Sequence, residues 1–302
     1  AMSHNLSEFV ASSAQSLSEA LARLAEPTDP ERGPWRPLAG GTDVMVTMAA
    51  GTLPVGRYVD IWPLAELRGI TVTAEAIEIG ALTTYTELRE HPIIATEFPL
   101  LSLAARETGA IAIQNRGTIG GNIANASPAA DTPPGLLAYD AELVLQSLSG
   151  TRVVPYARFH SKYKQMDRRP DELITKVRLR REPSDAPGQP IHYYRKVGTR
   201  AAQAISKVCF AGFARFDGQK LVTVRIGLGS VAPIPLRCVR TEAALVAGPL
   251  DEALIRRAEA TLSYEITPID DVRSNLRYRR TVTLNLLREF LTRCQGHVAS
   301  QP

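Results

Sequence analysis

Cysteine is scarce in this chain. There are three in 302 residues: Cys209, Cys238 and Cys294, far apart and without a C-x-x-C. That spacing argues against a metal or iron–sulfur site in this chain and suits a reducing compartment. The five histidines (His4, His91, His160, His192, His297) form no H-E-x-x-H pattern, so no metal-ligand set is expected, and His160 and His192 read as ordinary hydrogen-bonding or surface residues. A G-x-S-x-G elbow is missing, as are a G-x-G-x-x-G after a strand and a G-x-x-x-x-G-K-[ST] loop, which excludes the usual serine hydrolase, Rossmann and P-loop readings. No apolar run approaches the roughly 18 residues that span a bilayer, so no membrane insertion is expected. The opening residues lack a basic stretch followed by an apolar one, so no export signal is expected and the location is read as cytoplasmic. Nor does one sign of charge dominate, the net being +4. Basic runs occur at 162–169, 176–181 and 273–280, but no known nucleic-acid-binding module accompanies them and no nucleic-acid partner is expected. They read as a solvated face or as a docking surface for another subunit.

What is present is enough chain for two domains. Up to about residue 180 short strands and helices alternate. Leu17, Leu21 and Leu24 have helical spacing within 16–25, and 36–40 and 57–61 read as strands. Segments 70–73 and 76–80 alternate with period two and read as a hairpin, as do 142–146 and 151–155 around Ser149-Gly150. Residues 84–91 and 99–108 read as helices, the second stopped by Gly109. Pro133-Pro134 is expected to interrupt regular pairing. Three prolines and a glycine within 181–190 mark a linker or crossover. Beyond it, 206–216 and 221–230 read as strands around Asp217-Gly218, followed by helices at 241–247, 251–264 and 274–294, the last capped by Ser274 or Asn275.

Two glycine-rich segments stand out. The first is Leu38-Ala39-Gly40-Gly41-Thr42-Asp43; the second runs from Thr118 through Gly120, Gly121, Asn122, Ala124, Asn125 and Ser127 to Asp131. Paired glycines let a backbone come close to a ligand, because no Cβ intervenes. Loops of this kind can cradle a diphosphate with backbone N–H groups, and two of them about 80 residues apart suggest a dinucleotide held between two stretches of chain. Asp43 would repel a diphosphate, so it reads either as a helix cap or as an acceptor for a ribose hydroxyl. Asp131 reads either as an acceptor for ribityl or ribose hydroxyls or as a tie for its own loop.

The order and spacing of these segments resemble the FAD-binding medium subunit of the molybdenum hydroxylases, the family of xanthine dehydrogenase and carbon monoxide dehydrogenase. The resemblance continues through Asp171-Glu-Leu-Ile174, Tyr194-Arg-Lys196-Val-Gly-Thr-Arg200 and Asp271-Val-Arg-Ser-Asn-Leu-Arg-Tyr-Arg-Arg280, covering nearly the whole chain. It implies that Thr118, Gly120, Gly121, Asn122, Ser127 and Asp131 touch FAD, that Ile174 packs beside the isoalloxazine, and that Lys196 sits near its pyrimidine end and tunes it. Ala124 stands where relatives often carry a bulkier aliphatic residue. Where the family shows F-F-x-G-Y-R-K-T, this chain has Phe159-His160-Ser-Lys-Tyr163-Lys164-Gln165-Met166, without the glycine and the second basic residue. Tyr193 and Tyr194 read as stacking or core residues, with core favoured for at least one.

The resulting expectation is an α+β protein: a two-lobed PCMH-type FAD-binding domain over 1–180, then a C-terminal antiparallel sheet with helices over 190–302. FAD would be non-covalent, since neither glycine segment holds a histidine. Molybdopterin and 2Fe-2S clusters are expected only in partner subunits, a large and a small one. Electrons would pass from 2Fe-2S through FAD to an acceptor such as NAD or a quinone. A free-standing FAD oxidase or dehydrogenase and a flavin-free scaffold subunit are the alternatives.

Overall fold

The computed structural model of the chain describes residues 9–183, 185–186, 188–199 and 205–299. The opening segment with His4, positions Ser184 and Pro187 of the proline-rich stretch, and Arg200 lie outside the described residues. The first lobe holds β1 (Phe9–Ser13), α1 (Leu17–Leu24), β2 (Trp35–Leu38), α2 (Thr42–Ala49) and β3 (Gly56–Asp60). Its sheet is parallel with β3 in the centre. Ser16 caps α1 by accepting from the Glu19 N–H, and Leu21 and Leu24 face a small core with Trp35, Val59 and Ile61.

The second lobe is built on β4 (Ile70–Val72), β5 (Ala76–Gly80), α3 (Tyr85–Glu90), α4 (Pro92–Glu97), α5 (Pro99–Glu107), α6 (Ile111–Gln114), α7 (Ile119–Asn125), α8 (Pro133–Ala138), β6 (Glu142–Ser147), β7 (Gly150–Pro155), the short hairpin β8 (His160–Lys162) and β9 (Gln165–Met166), and β10 (Leu173–Arg180). Its five-stranded antiparallel sheet runs β4-β5-β10-β6-β7, so the last strand in sequence closes between the two expected hairpins. A bulge between Ile174 and Lys176 shifts the register of β10 on β6. Thr175 remains satisfied there, its carbonyl accepting from the Ala81 N–H at 2.9 Å and its hydroxyl donating to the Val144 carbonyl. Pro133-Pro134 does not merely interrupt pairing: it opens α8, since proline at the first helical positions lacks only an N–H that would be unpaired anyway.

The C-terminal part consists of β11 (Ile191–Val197), β12 (Val208–Asp217), β13 (Lys220–Gly229), β14 (Leu236–Arg237), α9 (Val239–Leu245), α10 (Glu252–Glu265) and α11 (Leu276–Ala299). Its four strands form an antiparallel sheet in sequence order. One face packs on α10 and α11 around Phe210, Ile226, Leu287 and Phe290. The other face sends Tyr194, Cys209, Ala211 and Phe213 into the core of the second lobe. Asn275 supplies the expected cap for α11, accepting from the Tyr278 N–H at 2.8 Å. The basic runs are largely ion-paired: Lys176 and Arg178 with Glu78, Arg181 with Glu97, Arg279 with Asp271. Among the described residues no helix is long and apolar enough to cross a membrane, and no cluster of metal-ligating side chains occurs.

Candidate functional site

A cavity of about 630 Å³ opens between the two lobes, within the range of small-molecule and cofactor sites. Ala39, Gly40, Gly41, Thr42 and Asp43 line one wall; Thr118, Gly120, Gly121, Asn122, Ala124 and Asn125 line the other, and Ile174 reaches it from β10. The bulge after Ile174 marks the point where the strand meets the cavity, a frequent place for a bulge. Both glycine segments and Ile174 therefore converge on one cavity.

The two segments differ in what they offer. Gly41 has φ +78° and precedes α2 without a side-chain cap, so the first N–H groups of that helix meet no capping oxygen of the protein and its positive end faces the cavity. Gly40 is required by the opposite wall: a Cβ there would lie 1.7 Å from the Arg116 carbonyl oxygen. Arg116 is itself held by stacking on Trp62, 3.7 Å from the ring centroid, and by its Nε donating to the Gly40 carbonyl.

The second segment is not the open loop that paired glycines suggested. It forms α7, capped by the Thr118 hydroxyl, which accepts from the Gly121 N–H at 3.1 Å. The Ile119, Gly120 and Asn122 N–H groups donate to the Thr83, Ala81 and Thr118 carbonyls. Those four donors are consumed within the protein, so this wall contributes shape and side chains. A Cβ on Gly120 would lie 2.7 Å from the Ala81 Cβ, so this glycine serves close packing of α7 against the strand end.

Four residues of the sequence-based set do not line the cavity. Leu38 ends β2 and its carbonyl accepts from the Ile61 N–H. The Ser127 hydroxyl accepts from the Ala129 N–H and shapes its own turn. Asp131 and Lys196 form a buried ion pair at 2.7 Å, their side chains 10% and 6% exposed. The Lys196 ammonium also donates to the Glu107 carbonyl. Burial lifts the Asp131 carboxyl to about 6, although Lys196 pulls it down. Its Oδ1 is buried without a hydrogen bond of normal geometry, because the Thr108 hydroxyl, close enough to lower that pKa, donates to the Ala104 carbonyl instead. Tyr194 is buried beside the pair and its hydroxyl donates to the Asp131 carbonyl; Tyr193 is core. Tyr85 lines the cavity and is raised well above the tyrosine range by burial, then by the charges of Asp131 and Asp43, which places it within reach of both the cavity and the ion pair.

The sequence reading missed Arg36, Tyr58, Lys164 and Arg168, all on the cavity wall. Lys164 and Arg168 belong to the basic run 162–169, whose position gave no hint of facing the glycine segments. Asp43 is exposed at the rim, yet surrounding protein holds its carboxyl above the usual range, with Lys164 opposing. The wall thus sets three cationic side chains against one carboxylate, a balance that favours an anionic ligand. His160 and His192 are, as expected, hydrogen-bonded: His160 Nε2 lies 3.1 Å from the Ile123 carbonyl and His192 Nδ1 lies 3.0 Å from the Tyr139 hydroxyl. Among the described residues neither histidine nor cysteine lines the cavity.

Comparison with known proteins agrees over nearly the whole chain. Residues 7–181 match a family model described as the FAD binding domain in molybdopterin dehydrogenase, and residues 192–294 match the CO dehydrogenase flavoprotein C-terminal domain. The chain is 31% identical over 264 residues to a putative xanthine dehydrogenase FAD-binding subunit of Escherichia coli K12, covering 86% of this chain and 89% of that one. It is 31% identical over 281 residues to the glyceraldehyde dehydrogenase medium chain of Sulfolobus acidocaldarius, covering 91% and 94%. Among solved structures, a chain of CO dehydrogenase from Hydrogenophaga pseudoflava superposes with a TM-score of 0.88 at 26% identity, covering 95% of this chain and 97% of that one. A chain of the cyanide-inactivated Cu,Mo-CO dehydrogenase gives 0.87 at 27%, covering 95% and 98%.

Proposed function

The chain belongs to the family of FAD-binding subunits of molybdopterin dehydrogenases, and from that membership we propose that it is the flavin link in the electron path of a larger oxidoreductase. A small partner subunit with 2Fe-2S clusters delivers electrons, a large partner with molybdopterin oxidises the substrate, and an external acceptor such as NAD or a quinone takes the electrons away. The division into an FAD domain over 1–180 and a C-terminal domain over 190–302 belongs to this proposal, as does a cytoplasmic location, which suits three free, buried cysteines.

The observation that carries the reading is the cavity wall between the lobes, with an uncapped helix start at Gly41–Thr42 and an excess of cationic side chains. A flavin dinucleotide is a dianion with a long apolar ring system. Backbone N–H groups at the start of α2 suit its diphosphate. Asn122 and Asn125 offer amide groups that both donate and accept, and Ala124 and Ile174 offer apolar surface. FAD, when bound, supplies the redox chemistry, and the protein supplies position and electrostatics. The chain's residues then hold the cofactor without a covalent bond, in keeping with a lining that, among the described residues, has no histidine or cysteine. Asp131 and Lys196 form a buried, nearly neutral pair, and Lys196 acts on the cofactor by cancelling the charge of Asp131. Leu38 and Ser127 act by fixing the two segments.

The test has two parts. The purified chain, titrated with FAD, should show a flavin absorbance spectrum that leaves the protein on heat precipitation. Purification from its native source should bring along a molybdopterin chain and an iron–sulfur chain. A colourless chain that takes up no FAD would sink the flavin reading. A chain that purifies alone and turns over an organic substrate by itself would replace the relay with a free-standing enzyme.

A further inference from the structure

The cavity has free backbone donors on one wall, while those of the other wall are engaged within the protein. The start of α2 presents uncapped N–H groups at Gly41–Thr42, whereas the α7 N–H groups at Ile119, Gly120, Gly121 and Asn122 are bonded within the protein. A dianion lying between them would be held from one side and would face the Asp43 carboxylate as well. The missing donor comes from a third piece of chain. The β8–β9 hairpin turns through Tyr163 and Lys164, and Lys164 has φ +57°, a left-handed conformation uncommon for a side chain with a Cβ. The Lys164 ammonium donates to the backbone carbonyl of Asn125 and, at 3.0 Å, to its Oδ1. Two of its three N–H donors are thus engaged, leaving the third for an incoming oxygen.

The other two cations on the wall have partners away from the second glycine segment. The Arg168 Nη1 donates to the Glu172 carbonyl at 2.7 Å, and the Arg36 guanidinium lies over the Tyr58 ring at 5.9 Å. Lys164 differs from both because it touches the end of the second glycine segment and feels Asp43 of the first. Its pKa is pushed down by burial, with Asp43 opposing; an arriving anion relieves that cost.

We propose that Lys164 is the cation that closes over the diphosphate of the bound flavin dinucleotide, with the β8–β9 hairpin as its strap. It supplies from the α7 side the donor that the backbone of α7 withholds, and it offsets Asp43. This rests on the flavin reading above.

The test is FAD affinity of the full chain, with wild type, Lys164→Met and Lys164→Arg compared at low and high salt, and with inorganic pyrophosphate as competitor. Lys164→Met should raise the FAD Kd about 10- to 100-fold at low salt, the loss expected for one charge-assisted hydrogen bond. The gap should shrink at high salt, since an exposed charge is screened. Lys164→Arg should recover most of the affinity. Pyrophosphate should displace FAD from the wild type at lower concentration than from Lys164→Met. A wild-type chain that binds no FAD overturns the flavin reading and this inference with it. Tight FAD binding by Lys164→Met, with wild-type salt dependence, overturns the role of Lys164 alone. Equal losses in the Met and Arg variants also overturn it, because shape would then matter and charge would not.

Discussion

The buried Asp131–Lys196 pair should respond asymmetrically to loss of either partner. In Lys196→Met, Asp131 is left with a carboxyl already lifted to about 6. Losing the lysine removes both influences that hold it down most, so at pH 7 the acid takes up a proton and the site becomes neutral. Protonating a group of pKa about 6 at pH 7 costs about 1.4 kcal/mol. The lost hydrogen bond to the Glu107 carbonyl adds about 1 kcal/mol. In Asp131→Asn the ammonium stays behind in a site where the side chains are 6% and 10% exposed. The buried charge has lost its partner, and such a broken pair costs about 3–5 kcal/mol. Urea unfolding at pH 7 should therefore give about 2 kcal/mol for Lys196→Met and about twice that for Asp131→Asn, with the double variant close to Lys196→Met. The cofactor reports the same asymmetry. Lys196→Met exchanges one neutral arrangement for another and should move the flavin potential little, whereas Asp131→Asn leaves a net positive charge and should raise it. The pH dependence supplies a control. Because the folded pKa of about 6 lies above the ordinary aspartate value of 3.8, the group favours the folded state below pH 3.8, and that contribution is lost as pH rises to about 6. Asp131→Asn should remove this slope. Equal costs for the two single variants, or a cheaper Asp131→Asn, would refute the charge assignment.

The glycines should separate by what their missing Cβ protects. Gly40→Ala drives a carbon to 1.7 Å from a backbone oxygen and should lower Tm with or without FAD, whereas Gly121→Ala meets the Thr118 hydroxyl at 2.8 Å, can relieve it by side-chain rotation, and should cost about 1 kcal/mol through the weakened cap. A Gly121→Ala chain as unstable as Gly40→Ala in thermal melts would contradict this. Burial, then Arg215, holds half-buried His192 down at about 4 against 6.5, so its contribution is present above pH 6.5 and lost as pH falls through about 4, by at most about 3 kcal/mol. His192→Asn should flatten the acid limb of the stability profile, and an unchanged limb would show that this histidine protonates freely in the folded protein.

The sequence made the cofactor segments legible because both carry local signals: a strand running into Gly40-Gly41, and Thr118 three residues before Gly121. It misjudged the second as a loop because glycine disfavours helix interiors. In the fold Gly120 is needed for contact with Ala81, and the Thr118 cap offsets part of the cost of two glycines. The short helices α4, α6 and α8 run for 4–6 residues, too few turns for a period to register. Pro133-Pro134 signals equally a break and a helix start. Lys164, Arg168, Arg36 and Tyr58 were invisible as site residues because their proximity depends on how the lobes close, and no spacing encodes that.

The same limit explains why Lys196 resisted assignment from local pattern. It lies on β11, in the C-terminal sheet, while Asp131 lies 65 positions earlier. Tyr194 and Cys209 of that sheet reach the same place: the Cys209 thiol donates to the Tyr194 hydroxyl, which donates to the Asp131 carbonyl. The sheet is pressed onto α8 so closely that a Cβ on Gly227 would lie 2.1 Å from the Pro134 carbonyl oxygen. A division near residue 185 thus separates stretches of sequence whose side chains share one core. On the proposed reading, this lets the N-terminal lobes hold the dianionic diphosphate by an excess of positive charge while the C-terminal sheet balances the charge of Asp131. The two tasks need opposite electrostatics: a strong net charge retains the diphosphate, and a near-zero one leaves the cofactor's potential sensitive to a single proton on Asp131.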